Sequence, residues 1–174
     1  MTQQELGFAE GTPEGAIQSR YPNGAVKAIG RLVGGLREDT WVWYHQNGQV
    51  WARGSYRRGA KHGPWTFWHE NGQKDSEGRY VEGCKTGPWT YWHPNGKLDS
   101  RGSYAGGRED GRRTSWHENG MKQEEGSYVE GEKVGPCDIW AADGTYSHED
   151  YGEPPSGQQS VAGQKDLEEP IQGG

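Results

Sequence analysis

The chain has 174 residues, only 29% of them hydrophobic, with 30 glycines and nine tryptophans. That composition excludes a large aliphatic core and leaves a few rings, each able to bury roughly 150–250 Å², to take its place. The net charge of −6 is carried by the ends, since residues 20–148 hold 18 Lys and Arg against 16 Asp and Glu. A near-neutral body lacks the long-range attraction for phosphate that dominates nucleic-acid binding, so nucleic acid is excluded as a partner.

An Asn-Gly or Asp-Gly pair recurs at Asn23, Asn47, Asn71, Asn95, Asn119 and Asp143, always 24 residues apart. A strict period of this kind marks a repeat array, whose small units must stack on their neighbours to bury an apolar face. In chain order, residues 1–18 are acidic and read as a loose segment. Residues 19–151 form the repeat domain of about six hairpin units. Its first unit, at Arg20 to Gly24, lacks the Trp-His pair of the others, and its last ends in Ala141-Ala142-Asp143-Gly144. Degenerate ends suit units that cap a stack. Residues 152–174, polar, acidic and rich in Pro and Gly, read as a disordered tail.

One well-kept unit, residues 63–86, shows the logic. Asn-Gly between strand-like runs signals a two-residue type I′ hairpin loop, which needs positive φ at both central residues. With Asn71-Gly72 as that loop, Glu70 faces Gln73, Phe67 faces Ser76 and Trp65 faces Gly78. Neighbouring units agree, Trp41 facing Gly54, Trp43 facing Ala52, Trp89 facing Gly102 and Tyr91 facing Ser100. A ring meets a small residue each time. The second link, Tyr80 to Gly87, reads as a seven-residue connection, and Pro64, Pro88 and Pro136 follow its last Gly, where pairing should begin. Strand alternation then gives two faces. One, carrying Trp65, Phe67, His69, Ser76, Gly78 and Tyr80, is the packed face. The other carries Thr66, Trp68, Glu70, Asp75, Glu77 and Arg79 and is wet. The predicted fold is all-β: a single-layer antiparallel meander of tandem 24-residue hairpins, elongated and twisted.

The motif Trp-His-x-Asn-Gly-x(5)-Gly-x-Tyr-x-x-Gly, with Gly54-Ser55-Tyr56 leading to Gly59-Ala60-Lys61-His62-Gly63-Pro64-Trp65, resembles the MORN-repeat family. More closely it is similar to the MORN-variant repeats of YwqK-type bacterial antitoxin or immunity proteins. Glu109 departs from the pattern, since the other turns carry Arg37, Lys61, Lys85 and Lys133. The resemblance covers roughly residues 20–150. It implies a single-layer interaction platform without catalytic residues, and the antitoxin likeness implies a toxin as the protein partner.

Candidates for chemistry are few. His45, His69, His93 and His117 repeat every 24 residues, but equivalent residues two strands apart are ~10 Å from one another. Zinc sits ~2.0–2.1 Å from a ligating nitrogen, so these side chains read as structural and no metal or cofactor is expected. No nucleophile elbow or phosphate-binding loop is present. Asp75, Glu77, Asp99, Glu124 and Glu125 read as a solvated charged face, and the chain reads as no enzyme. The site expected for a partner is the stripe Tyr44, Trp68, Trp92, Trp116 and Trp140 with Arg79 and Arg101, because aromatics and Arg are enriched at protein–protein hot spots. The alternative is a carbohydrate or cell-envelope binding module using the same rings, with lipid headgroups behind it. Neither end joins a basic segment to an apolar run, and no stretch approaches the ~20 apolar residues of a membrane span. With Cys84 and Cys137 read as reduced thiols at non-equivalent positions, a cytoplasmic setting is expected.

Overall fold

The computed structural model describes residues 16–154, and every regular element among them is a strand. The N-terminal strands are β1 (Ala16–Arg20), β2 (Val26–Val33), β3 (Leu36–Tyr44), β4 (Val50–Arg57) and β5 (Ala60–Trp68). The middle supplies β6 (Lys74–Val81), β7 (Cys84–Trp92), β8 (Leu98–Ala105) and the two-residue β9 (Arg108–Glu109). The chain continues through β10 (Gly111–Trp116), β11 (Lys122–Val129), β12 (Glu132–Trp140) and β13 (Tyr146–Asp150). They form one open antiparallel sheet in which chain order is spatial order, β9 pairing only with β8. This is the meander expected from the period.

Both turns of the repeat differ from expectation. At Asn71-Gly72 the loop has three residues, not two: Gly72 N–H donates to His69 O and His69 N–H to Gln73 O, both at 2.9 Å. Only Gly72 there has positive φ, +82°. A type I turn followed by a left-handed glycine is the G1 bulge arrangement. It slips the register by one, so Trp68 pairs with Lys74, although Trp65↔Gly78 and Phe67↔Ser76 hold as expected. Asn71 serves instead through its side chain. Its Oδ1 accepts from Gln73 N–H at 3.0 Å and its Nδ2 donates to Pro94 O of the next repeat at 2.6 Å.

The type I′ turns lie at the other link. Gly34-Gly35, Arg58-Gly59, Glu82-Gly83, Gly106-Gly107 and Glu130-Gly131 all have paired positive φ values. Val81 pairs directly with Cys84, so the expected seven-residue connection shrinks to two residues. Gly59, Gly83, Gly107 and Gly131 also donate to the preceding repeat, as Gly83 N–H does to Lys61 O at 2.9 Å. Arg58 adopts φ +51° without being Gly, and a left-handed L-residue costs about 1–2 kcal/mol, much of which Asn avoids. Arg58 is exposed, so Arg58→Asn is expected to raise stability by about 0.5–1 kcal/mol in a denaturant titration. A midpoint that stays put or falls would show that this turn stores no strain.

Pro64 lies inside β5 rather than at its start, paired with Arg79 on one side. On its other side the ladder jumps from Gly54↔Trp65 to Ser55↔His62. Gly63 and Pro64 are thus bulged out where no N–H is needed, one of the few sheet positions Pro tolerates. The bulge leaves Ser55 O for the Trp65 indole, whose Nε1–H donates to it at 3.0 Å. Trp41 and Trp89 do the same to Arg31 O at 3.1 Å and Arg79 O at 3.3 Å. A buried indole N–H is satisfied by the carbonyl that its own bulge sets free.

The core occupies one face of the sheet. Trp41, Trp65 and Trp89 are 3%, 2% and 1% exposed and form one cluster with Ala28, Ala52, Tyr56 and Tyr80. Trp65 stacks on Phe67 at 5.7 Å and meets Tyr56 edge-on at 5.1 Å. Each ring stretches over the glycine of the strand before it: a Cβ on Gly54 would lie 2.2 Å from Trp65, and one on Gly78 2.2 Å from Trp89. A cation closes each box from above. Arg37 lies 5.3 Å from the Trp41 ring, Lys61 4.5 Å from Trp65 and Lys85 4.4 Å from Trp89. Such contacts are worth about 0.5–2 kcal/mol, more when desolvated. Burial pushes the Lys61 and Lys85 ammonium groups below the usual lysine range, with Lys85 repelling Lys61 further and Glu109 and Asp75 partly offsetting the effect at Lys85.

From the fifth unit onward the box changes chemistry. Arg113 replaces the Trp and Glu109 the Lys, and the two pair at 3.3 Å. Lys85 Nζ donates to Tyr91 OH at 2.7 Å, Tyr91 OH to Tyr104 OH at 3.1 Å, and Tyr104 OH to Glu109 at 3.2 Å. The Glu109 departure is therefore one half of a charge exchange.

Three expected placements are corrected. Ala16, Ile17 and Gln18, expected to be loose, pair with Arg31, Gly30 and Ile29 in β1. Gly152, expected in the tail, accepts a hydrogen bond from Gly135 N–H at 2.6 Å. Residues 1–15 and 155–174, the remainder of both terminal segments, lie outside the described residues. The carboxylates Asp75 and Glu124 are turned from the expected wet face. Asp75 sits 3.4 Å from His69 and accepts from the buried Ser76 hydroxyl, and Glu124 pairs with Lys133 at 2.8 Å. The G1 bulge advances the phase of β6 by one residue at Asp75, and Glu124 simply falls on the packed alternation.

Candidate partner-binding face

The face opposite the core is built in rows that run across the strands. The first row is set by the pairs Tyr44↔Val50, Trp68↔Lys74, Trp92↔Leu98, Trp116↔Lys122 and Trp140↔Tyr146. The expected stripe is thus real, but each ring alternates with a second side chain that the sequence reading omitted. Lys74 Nζ lies 4.9 Å from the Trp92 ring and Lys122 Nζ 5.1 Å from Trp140, so the row is continuous from one hairpin to the next. All five rings are half-buried. No two members of the stripe stack on each other, and Trp140 meets Tyr146 at 5.7 Å.

What fixes the rings is the backbone beneath them. His45, His69, His93 and His117 each donate from Nε2 to the carbonyl of Trp68, Trp92, Trp116 and Trp140, at 2.8, 2.8, 2.8 and 2.7 Å. Each histidine of one repeat therefore clamps the stripe residue of the next. Nε2 of each ring is thereby committed to a backbone oxygen. Tyr44, which has no histidine before it, is held by Tyr21 OH at 2.8 Å.

A second row runs beside the rings: Arg53, Thr66, Glu77, Thr90, Arg101, Thr114 and Glu125, consecutive members paired across neighbouring strands. Glu77 is bound to Lys74 at 2.8 Å, and Glu125 to Lys122 at 2.5 Å and Arg112 at 2.7 Å. The Lys122 hydrogen bond holds the Glu125 carboxyl below the usual carboxylate range, with Arg112 assisting. Arg79 stands two residues along β6 from Glu77 and opposite Pro64. Among the expected site residues, the five rings share one row and Arg101 belongs to the adjacent one, with Arg79 just beyond it. Arg53, Lys74 and Lys122 belong to the same surface and were missed. The signal for Arg53 was present, since it stands 48 residues before Arg101 in the same place of the repeat.

Residues 40–58, 61–82, 85–105 and 109–130 match the family model described as the MORN repeat variant. Four tandem segments of the chain thus match the MORN repeat variant. Each matched segment runs from one type I′ turn toward the next, so a MORN-variant repeat here is one hairpin with its G1 turn at the centre. The hairpins β1–β2 and β12–β13 flank the four matched units. No curated protein matches the chain. Among solved structures, a chain of the GtfA/B complex bound to UDP and GlcNAc is similar over 65% of this chain at 14% identity and a TM-score of 0.26. This chain covers 22% of that one, and a likeness at that score carries no argument.

Proposed function

We propose that the MORN-variant array is a non-catalytic docking module that binds a protein partner through the face bearing Trp68, Trp92 and Trp116. The observation that carries this reading is a row of half-buried rings, held from beneath by histidine–carbonyl hydrogen bonds and bordered by exposed arginines. Rigid aromatic anchors beside guanidinium groups are the composition of a protein–protein hot spot. MORN-type repeats are in general non-enzymatic and associated with protein or membrane interactions. The antitoxin-type resemblance makes a toxin the first partner to try. A cytoplasmic setting goes with that proposal, in which Cys84 and Cys137 stay reduced.

The carbohydrate reading uses the same rings but needs their faces open to stack on sugar. Lys74 over Trp92 and Lys122 over Trp140 weigh against it. The test is a pull-down from the native cell with the full chain as bait, followed by titration of the captured protein. Trp92→Ala and Trp116→Ala are each expected to weaken that complex by at least ~2 kcal/mol, about 30-fold, with the thermal transition little changed. Unchanged affinity in both variants removes the stripe from the interface, and reproducible glycan capture by the bait would favour the carbohydrate module instead.

A further inference from the structure

The docking face does not repeat every 24 residues. Residues 74–77 read Lys-Asp-Ser-Glu and 122–125 Lys-Gln-Glu-Glu, whereas 50–53 read Val-Trp-Ala-Arg and 98–101 Leu-Asp-Ser-Arg. The outward members of one set are Lys and Glu, joined to each other by ion pairs at 2.8 Å and 2.5 Å. The outward members of the other are an aliphatic residue and an arginine with no acid beside it. Within the described residues, no carboxylate lies within 4.0 Å of Arg53, Arg79 or Arg101, and all three are exposed. The face therefore has a double period. At these two positions Lys–Glu pairs alternate with an arginine that no carboxylate meets, and Arg79 adds a further uncompensated cation within the Lys74–Glu77 repeat.

Resting on the docking reading above, we infer that this face takes an extended acidic segment of a partner protein, laid across the strands with carboxylates on Arg53 and Arg101. The charge balance selects the sign of the ligand: the acids of the face are spent on Lys74, Lys122 and Arg112, while the free charge in its central repeats is positive. Arg53 on β4 and Arg101 on β8 are four strands apart, or about 19 Å at ~4.8 Å per strand. An extended chain advancing ~3.3 Å per residue covers that distance in about six residues. Six is even, so both acids leave the same side of the extended segment, and the residues between them on that side meet Thr66, Glu77 and Thr90. Arg79 stands beside the midpoint, two residues along the strand from Glu77. The Trp68 and Trp92 rings border the segment and supply its apolar contacts. Guanidinium forks match carboxylates in bidentate fashion, which gives such a ladder its register.

The test uses the full chain and three uncharged-background peptides of equal length, built from Leu, Thr and Gln. The first carries two glutamates six residues apart, the second two adjacent glutamates, and the third two lysines six residues apart. The first is expected to bind at least tenfold more tightly than the others, with affinity falling as salt is raised. The double substitution Arg53→Gln/Arg101→Gln is expected to remove that preference, and Arg108→Gln, on the distant turn where it pairs with Glu130, to leave it intact. Equal binding of the spaced and adjacent acids, or no binding of any peptide at millimolar concentration, overturns the inference. Binding to phosphatidylserine vesicles with no peptide preference overturns it in favour of a membrane surface. The captured native partner separates the two readings: loss with Trp92→Ala but not with the double Arg variant leaves the docking face standing and removes the acidic segment.

Discussion

Trp65→Ala and Trp89→Ala are each expected to cost about 3–5 kcal/mol, the range for deleting a fully buried large ring. Both rings are at most 2% exposed, both donate an indole N–H to a carbonyl that has no ladder partner, and both carry a lysine over one face. Truncation therefore removes packing, a hydrogen bond and the desolvated cation's partner together. Because each hairpin touches only its neighbours, the damage is local in origin. The array is expected to lose cooperativity as well as stability, with the denaturant transition broadening where the central interface is broken. Trp92→Ala, on the other face and half-buried, is the internal comparison and should cost far less. A near-normal transition in both Trp65→Ala and Trp89→Ala would refute the face assignment and move the core elsewhere.

The second large effect comes from the smallest side chain. Gly78→Ala would place a Cβ 2.2 Å from the Trp89 ring, inside any possible contact distance. The ring has little room to yield, since it donates to Arg79 O, meets Tyr80 edge-on at 5.1 Å and lies under Lys85. A cost of about 3 kcal/mol or more is expected, at or above the usual penalty for overpacking. Gly54→Ala should behave alike, because Trp65 covers it in the same way. Gly102→Ala is the control. Its neighbour is the Arg113 side chain at 3.4 Å, an ordinary contact, so the change is expected within about 1 kcal/mol of neutral and can even gain from a stiffer unfolded chain. Equal effects at Gly78 and Gly102 would mean that backbone freedom, not the overlying ring, sets the requirement for glycine.

Much of this architecture was legible because its physics is local. Asn-Gly every 24 residues implied hairpins, the even period kept each ring on one face, and the pairing of Trp41, Trp65 and Trp89 with small residues identified the register. All three pairings are found. Turn type was not legible from the same dipeptide. Asn71-Gly72 satisfies a type I′ loop and a G1 bulge equally well in sequence. All six copies take the G1 form, Asp143-Gly144 included, with the Asn or Asp Oδ1 accepting from the N–H two residues on. The bulge at Gly63-Pro64 likewise looked like the start of a strand, although the ladder continues on its far side.

For the candidate site, the sequence by itself determined which rings recur and that they share a face, since period and alternation need nothing beyond chain geometry. It also placed the four histidines at the turns. Only the tertiary structure decided what those groups do. The histidines clamp carbonyls 23 residues away, and the lysines of alternate repeats cross over to rings in the next hairpin. It likewise decided which arginines remain free, because charge pairing depends on distances between strands that a linear reading leaves undefined. Local conformational rules set the scaffold. Contacts between stacked repeats, where desolvation and ion pairing act across space, set the chemistry of its exposed face.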